Sequence, residues 1–134
     1  MSTIFTKIIR GDIPSYKVAE DEYYFAFLDI KPIAEGHTLV VPKKEVDYFF
    51  DLSDKRIYSL MSFSKSIAKA IDRSLNPLRT GVIIQGLEVP HAHVHLVPLY
   101  SHTQTMALGH NVEVSENRMK ELAEIISKEF DNGG

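Results

Sequence analysis

Apolar positions along this chain follow two periods, one typical of strands and one typical of helices. Strand-like runs combine alternating apolar positions with β-branched or aromatic residues, and turn-forming residues separate them. Five such runs occur, at residues 16–20, 23–30, 37–41, 80–85 and 91–99. The run at 80–85 is apolar on both sides of the strand, so we expect it to be buried.

Three other segments have the spacing of amphipathic helices. A short helix is predicted within residues 1–10. A long helix is predicted to begin after Ser53, a good N-cap, and to end at Asn76. A last helix is predicted to begin after Ser115, and residues 131–134 are expected to fray from its end.

The order of these elements predicts an α+β fold. The strands follow one another mostly as hairpins, which favours antiparallel pairing over a doubly wound parallel sheet. The long helix precedes the last two strands and is expected to pack on one face of the sheet. The other face, or an edge, is then free for a ligand or a second subunit. No repeat or linker interrupts the chain, so residues 1–134 are expected to form a single domain.

Composition removes several classes of function. The 134 residues are 44% hydrophobic and 25% charged with a net charge of −3, so no basic field is present to bind a nucleic-acid polymer. No apolar run approaches the length of a membrane span, and no secretory signal is recognisable, so the cytoplasm is the expected compartment. Cysteine is absent, which excludes disulfides, thiolate chemistry and Cys-based zinc sites.

The last strand-like run contains three of the six histidines of the chain within five residues. Because side chains alternate across a strand, His91, His93 and His95 are expected to line one face. The residues expected on the other face, in the core, are Ala92, Val94 and Leu96.

Three interpretations of the histidine run are open. It can be a purely structural strand. It can hold a transition metal through two imidazoles, with His37 or Asp29 as a third ligand. It can attack a phosphoryl centre, because a neutral imidazole is a competent nucleophile near neutral pH. The last interpretation gives a role to all three rings, with His93, which has a histidine on either side, as the nucleophile and its neighbours around the phosphate.

Four segments of the chain carry a resemblance to a known family. Residues 91–97 fit the alternating motif of the histidine triad (HIT) proteins, and residues 3–9, 26–32 and 36–44 resemble the opening segment and two strands of that family. The likeness covers about residues 3 to 100. The tail from 101 to 134 corresponds to a variable region, in which His102 is a candidate for specificity.

The resemblance implies a homodimeric nucleotide-binding hydrolase or nucleotidyl transferase. Each subunit of such proteins contributes a five-stranded antiparallel sheet, and the two sheets join across the dimer. By resemblance His93 is the nucleophile, His95 and His37 orient and polarise it, and His91 lies beside the phosphates. Asp29 is implied to bind the ribose hydroxyls. The implied apolar walls of the purine pocket are Ile4, Phe5, Phe27, Leu28 and Ile30.

The chain also departs from the family pattern. Some HIT proteins carry a zinc site whose positions correspond here to Thr3, Thr6 and Glu45, so we expect no such metal. The loop before the triad, residues 85–90, is shorter than in several branches of the family. The loop residues implied to lie near the phosphate or the leaving group are Gln85, Glu88 and Val89. A carboxylate at position 88 would repel a second phosphate, which disfavours a dinucleoside polyphosphate substrate. The alternative is that the Glu88 side chain points outward and only its backbone lines the site.

The sequence therefore favours one function over two others. We expect a purine nucleotide-binding hydrolase that cleaves a nucleoside phosphoramidate or a similar AMP-like conjugate through a nucleotidyl-histidine intermediate. No metal or cofactor is expected to take part. The alternatives are a dinucleoside polyphosphate hydrolase and a nucleotide-binding interaction protein whose hydrolysis is vestigial.

Overall fold

The structure is a computed structural model that describes residues 2–133. Its elements in chain order are α1 (Ile4–Arg10), β1 (Lys17–Glu20), β2 (Tyr24–Leu28), β3 (Thr38–Pro42), a 3-10 turn (Phe49–Asp51), α2 (Asp54–Leu75), β4 (Arg79–Ile83), β5 (Val94–Leu99) and α3 (Glu116–Gly133). The five strands form one antiparallel sheet in the order β1-β2-β3-β5-β4. The predicted α+β class and five-stranded antiparallel sheet are confirmed. None of the helices in the described residues is long and apolar enough to cross a membrane.

Strand alternation gives the sheet two different faces. On β2, Tyr24, Ala26 and Leu28 belong to the main core, while Phe25 and Phe27 belong to a second cluster on the opposite side. Both α2 and α3 pack over the main core, where only the long helix was expected. With two helices covering one face, the opposite face is left for the histidines and α1.

The helix ends agree with the cap residues identified in the sequence. Ser53 Oγ accepts the Arg56 backbone N–H at 3.2 Å, and Ser115 Oγ accepts that of Arg118 at 3.1 Å. Asn76 ends α2 in the left-handed conformation, with φ of 53°. The predicted fraying of residues 131–133 is wrong, because α3 continues to Gly133. Gly134 lies outside the described residues.

The prediction that residues 80–85 are buried is also wrong. β4 is the last strand of the sheet and pairs with β5 alone, so one of its edges has no partner strand within residues 2–133. Val82 is 49% exposed and Ile84 is 39% exposed. Local apolarity does not distinguish a central strand from an edge strand.

The histidine strand is shorter than expected. β5 begins at Val94, and the segment before it is irregular, with the Ala92 N–H donating to Val46 O at 2.7 Å. The alternation nevertheless continues through this segment, because Ala92, Val94 and Leu96 all belong to the main core. The three triad histidines therefore remain on the other side of the sheet.

A tight turn at Gly36 positions a fourth histidine, His37, on the same face of the sheet as the triad. Gly36 has φ of +92°, and a Cβ added there would lie 2.5 Å from Leu75 Cδ1 and 3.2 Å from Pro98 Cγ. Only glycine suits both the backbone conformation and the packing at this position. The turn is closed by the His37 N–H, which donates to Ala34 O at 3.1 Å, and β3 starts at the next residue.

Candidate active site

Four histidines cluster on the open face of the sheet, and all four are buried. His91 and His37 are at most 1% exposed, and His93 and His95 are each 5% exposed. The ring centroids of His93 and His95 are 4.9 Å apart, and those of His37 and His95 are 5.2 Å apart. Buried imidazoles need hydrogen-bond partners, and these partners determine which nitrogen of each ring carries the proton.

The His91 ring is held at both nitrogens within the fold. Its Nε2–H donates to Pro42 O at 2.8 Å, because a carbonyl oxygen only accepts. Its Nδ1 lies 2.8 Å from Thr3 Oγ1 and so accepts the threonine hydroxyl. Neither ring nitrogen of His91 is therefore free to bind a ligand, and its place beside the phosphates stays a prediction.

His93 has one engaged nitrogen and one free nitrogen. Its Nδ1–H donates to the backbone oxygen of His91 at 2.7 Å, which leaves an unshared electron pair on Nε2. The Phe5 ring stands edge-on to the imidazole, with centroids 5.0 Å apart and planes at 80°. Packing and hydrogen bonding together fix the orientation of this ring.

His37 and His95 form a chain that starts at the main chain. The Ile33 N–H donates to His37 Nδ1 at 3.0 Å, so the proton of the neutral His37 ring is on Nε2. His37 Nε2 lies 3.0 Å from His95 Nδ1 and donates to it. The His95 proton is then on Nε2, an atom that is buried without a hydrogen-bond partner among the described residues. An unpartnered buried donor is costly unless a ligand accepts from it.

Burial keeps these rings neutral. It lowers the pKa of His37 to about 4 and the pKa of His95 to about 3, because the charged imidazolium loses its hydration. Burial is also the main cause that lowers the pKa values of His91 and His93. The assignment of single protons to these rings therefore holds at neutral pH.

Asp29 lies at the end of β2, next to His37. Its Oδ1 accepts the Lys31 N–H at 2.9 Å, which is the role of an ordinary turn residue. Its Oδ2 lies 3.6 Å from His37 Nε2. Burial raises the pKa of this carboxyl, and the Lys31 N–H and the Lys31 charge oppose that effect while the charge of Glu88 adds to it. One carboxylate oxygen thus remains available beside the histidines.

The same residues are a candidate metal site. Asp29, His37 and His95 each offer one ligand atom, and these three atoms lie within 4.8 Å of one another. Two imidazoles and a carboxylate are a donor set that Zn²⁺ accepts. The Thr3, Thr6 and Glu45 group offers only oxygens that already share hydrogen bonds with one another.

The apolar residues expected around a purine are distributed unevenly. Phe5 and Phe27 are buried together with centroids 5.6 Å apart, and Val89 packs against their cluster. The Leu28 side chain points into the main core on the opposite face, so it is not brought to the site. The remaining two residues expected in this wall, Ile4 and Ile30, are exposed.

Two cavities adjoin the histidines. The first has a volume of about 300 Å³, and its lining includes Asp29, Glu88, His37 and His95. The second has a volume of about 370 Å³ and opens on His93. Its other lining residues are Asp47, Tyr48, Phe49, Phe50, Ile84, Gln85, Gly86, Leu87 and Ala92. Gln85 and Glu88 thus line different cavities.

Sequence reasoning missed several residues that form the site. The main-chain groups of Ile33 and Pro42, which orient two rings, have no signal in the side-chain pattern. Leu108 and Asn111 of the tail line the first cavity, whereas His102 was the tail residue named as a candidate for specificity. Leu39 lies opposite Phe27 in the sheet and shares its apolar cluster, which alternation along β3 was sufficient to indicate.

Comparison with known proteins agrees with this geometry. A family model described as "HIT domain" matches residues 10–102. Adenosine 5'-monophosphoramidase hnt1 of Schizosaccharomyces pombe is 36% identical over 132 residues, which covers 97% of this chain and 99% of that protein. An uncharacterized 16.1 kDa HIT-like protein of Mycoplasma pneumoniae is 35% identical over 134 residues, which covers 96% of this chain and 92% of that protein. The crystal structure of a Hit-like protein involved in cell-cycle regulation from Bartonella henselae matches with a TM-score of 0.85 at 30% identity over 96% of each chain.

The fold and site together define an α+β protein with a buried histidine triad on the open face of a five-stranded antiparallel sheet. With the family model and the relatives, they place the chain in a known group. The chain belongs to the HIT family.

The lowered pKa values of His37 and His95 predict a loss of stability in acid. Below the ordinary pKa of 6.5 the two histidines bind protons in the unfolded chain but not in the folded site. The free energy of unfolding is therefore unaffected above about pH 6.5, and it decreases as the pH falls toward the folded pKa values of about 4 and about 3. Between about pH 7 and about pH 5, we expect His95→Gln to lose about 2 kcal/mol less of its free energy of unfolding than the wild type. Urea denaturation at both pH values measures this. His102→Gln, at an exposed histidine, serves as the control, and equal losses in the His95→Gln and wild-type proteins would contradict the prediction.

Proposed function

We propose that this protein is a hydrolase that cleaves a purine nucleoside phosphoramidate, or a similar nucleotidyl conjugate, at the α-phosphate. His93 is the proposed nucleophile, and a nucleotidyl group on its Nε2 is the proposed intermediate. The observation that carries the proposal is the pair of complementary atoms at the site. One is an unprotonated nitrogen on His93, and the other is an unpartnered N–H on His95.

These two atoms suit two different roles in a phosphoryl transfer, that of the nucleophile and that of a hydrogen-bond donor to the phosphoryl oxygen. His93 Nε2 attacks phosphorus with its free electron pair, and the bond from phosphorus to the leaving nitrogen breaks. The leaving amine keeps that bond's electron pair and takes up one proton from water. As negative charge builds on a phosphoryl oxygen, the buried His95 Nε2–H donates a hydrogen bond to it. The ring of His93 becomes positively charged, and the His91 carbonyl oxygen stabilises it at Nδ1.

Water completes the cycle. It attacks phosphorus, the bond between phosphorus and His93 Nε2 breaks, and its electron pair returns to the ring. The products are a nucleoside monophosphate and a proton released to solvent. His37 is proposed to act through His95, since it fixes the tautomer that leaves a donor at Nε2.

The nucleoside is proposed to lie between Asp29 and the apolar cluster. Asp29 Oδ2 is an acceptor for ribose hydroxyls, while its Oδ1 is engaged by the turn. Phe5 and Phe27, with Ile4 and Ile30 at the surface, supply apolar area for a base. The S. pombe relative, named an adenosine 5'-monophosphoramidase, supports an AMP-like substrate.

A catalytic metal is the less suitable use of the same donors. A metal on His37 Nε2 requires the ring proton to move to Nδ1, which lies 3.0 Å from the Ile33 nitrogen and already accepts its N–H. Two donors would then face each other in a buried place. We therefore propose that a proton, and not a metal ion, occupies the space between His37 and His95.

Glu88 bears on the choice between phosphoramidates and dinucleoside polyphosphates. Its side chain lines the same cavity as Asp29, and its charge contributes to the raised pKa of that carboxyl. With the ribose at Asp29, a second phosphate near Glu88 would meet the carboxylate of that residue. This repulsion favours a conjugate with a single phosphate.

The central test is turnover of an adenosine phosphoramidate by the wild type and His93→Ala. We expect the variant to lose about 10³-fold or more in kcat, and only proteins with His93 to accumulate an acid-labile nucleotidyl adduct detectable by mass spectrometry. His110→Ala is the control at an exposed histidine. Chelation of the wild type is expected to leave the rate unchanged.

Four results would contradict the proposal. Full activity of His93→Ala would rule out His93 as the nucleophile. Loss of activity on chelation, with recovery on addition of Zn²⁺, would support a catalytic metal instead. Faster cleavage of diadenosine polyphosphates than of the phosphoramidate would favour that second activity. Tight nucleotide binding with neither turnover would favour an interaction protein.

We also propose that the protein is a homodimer joined at β4. Val82 is exposed on this edge strand, and Ile84 is exposed directly after it. Phe50 and Leu87, which are 70% and 82% exposed, line the adjoining cavity with Ile84. A second copy pairing along this edge would satisfy the free backbone groups and cover this apolar surface.

A charge on the edge strand is expected to separate the subunits. Val82→Lys should be a monomer at concentrations where the wild type has about twice the chain mass of 15.2 kDa. Light scattering after gel filtration measures the mass. Val112→Lys, at an exposed apolar residue of the tail, is the matched control and should remain dimeric. A monomeric wild type would refute the dimer.

A further inference from the structure

A hydrogen-bonded cluster joins the start of α1, the segment after β3 and the histidine triad. The Thr3 N–H donates to Glu45 Oε1 at 2.8 Å, and the Thr6 hydroxyl donates to the same oxygen at 2.7 Å. Thr3 Oγ1 accepts the Thr6 N–H at 3.1 Å and lies 2.8 Å from His91 Nδ1. Thr3 is thus both the N-cap of α1 and a neighbour of the triad.

The protons in this cluster have only one consistent arrangement. Because Pro42 O requires the His91 proton on Nε2, His91 Nδ1 needs a donor, and the Thr3 hydroxyl is the group that reaches it. Thr3 Oγ1 also lies 3.3 Å from Thr6 Oγ1, and the two hydroxyls compete for protons. The Glu45 carboxylate resolves this competition by accepting the Thr6 proton, which leaves the Thr3 proton for His91.

The Glu45 carboxyl is an ionised hydrogen-bond acceptor at neutral pH. The hydrogen bonds from the Thr3 N–H and the Thr6 hydroxyl lower the pKa of its carboxyl. The Glu45 side chain is exposed. Its role in the cluster is therefore to orient the threonine hydroxyls, and not to bury surface. It connects solvent to a chain of hydrogen bonds that ends at the nucleophile.

The final link is the main chain of His91. The His91 ring is fixed at Nδ1 by Thr3 and at Nε2 by Pro42, and its N–H donates to Val89 O at 2.8 Å. Its backbone oxygen is therefore held in place, and this oxygen accepts the Nδ1–H of His93. Because the segment before β5 is irregular, strand pairing does not fix this backbone oxygen.

We propose that Thr3 and Glu45 are positioning residues for the nucleophile, acting through His91. The proposal rests on the proposed function, in which His93 Nε2 attacks phosphorus. The Thr3 hydroxyl fixes the His91 ring, the His91 carbonyl fixes the His93 tautomer and direction, and Glu45 directs the threonine protons. None of these three groups is assigned a contact with the nucleotide, so we expect their effect in kcat and not in KM.

Three substitutions of Thr3 separate positioning from helix capping. Thr3→Val removes both the cap acceptor and the donor to His91. Thr3→Asp keeps a good cap but offers no proton to His91 Nδ1. Thr3→Ser keeps both. Ser53→Ala, which removes the equivalent cap of α2, is the control for stability alone.

We expect kcat to fall about tenfold or more in Thr3→Val and Thr3→Asp, with KM within about twofold of the wild type. Thr3→Ser should restore the wild-type rate, and Glu45→Gln should give a smaller loss. Ser53→Ala should keep its kcat despite a lower melting temperature. Wild-type kcat in Thr3→Asp, or equal losses of kcat in Thr3→Val and Ser53→Ala, would overturn the proposal.

A second measurement keeps this test separate from the proposed function. Imidazole ¹⁵N resonances report the protonation of each ring nitrogen without any substrate. Thr3→Asp is expected to shift the His91 Nδ1 resonance and to speed exchange of the His93 Nδ1 proton, while Thr3→Ser leaves both unchanged. If the wild type cleaves no phosphoramidate, the proposed function fails and these resonances still decide the inference. Unchanged resonances in Thr3→Asp would refute it.

Discussion

The site depends on main-chain groups whose hydrogen-bonding roles cannot change. A carbonyl oxygen only accepts and an N–H only donates, so each group that meets a buried imidazole fixes where the ring proton resides. The Ile33 N–H does this for His37, and the backbone oxygen of His91 does it for His93. One ring nitrogen is consequently left with a free electron pair and another with a free proton, at neighbouring positions. Burial preserves the arrangement, because it disfavours the charged form of every ring involved.

The fold supplies these groups by leaving one face of the sheet open. Both α2 and α3 pack on the opposite face, where the apolar residues between the triad histidines join the main core. The open face receives α1, whose Phe5 packs against two triad rings and whose N-cap Thr3 reaches His91. The Gly36 turn brings His37 beside β5. The start of α1 and the Gly36 turn, which are distant in the chain, thus meet at the segment that carries the triad.

Much of this was predictable from the sequence. Alternation placed the triad histidines on one side and Ala92, Val94 and Leu96 in the core, and that holds even where the strand is irregular. Strand order was not predictable, because the apolar run of β4 looks the same whether it lies at the centre or at the edge. The partners of the imidazoles were invisible for a different reason. Pro42 O meets a ring 49 residues away through a main-chain atom that every residue possesses.

The most direct test of this account is the protonation state of His93 in the free protein. Imidazole ¹⁵N spectra near neutral pH should show a neutral ring with its proton on Nδ1 and an unprotonated Nε2, and a neighbouring His95 with its proton on Nε2. An isolated histidine has neither restriction, so the pattern reports the hydrogen-bond chain itself. A His93 ring that is charged near neutral pH, or that carries its proton on Nε2, would contradict the account, because no electron pair would then face the phosphate.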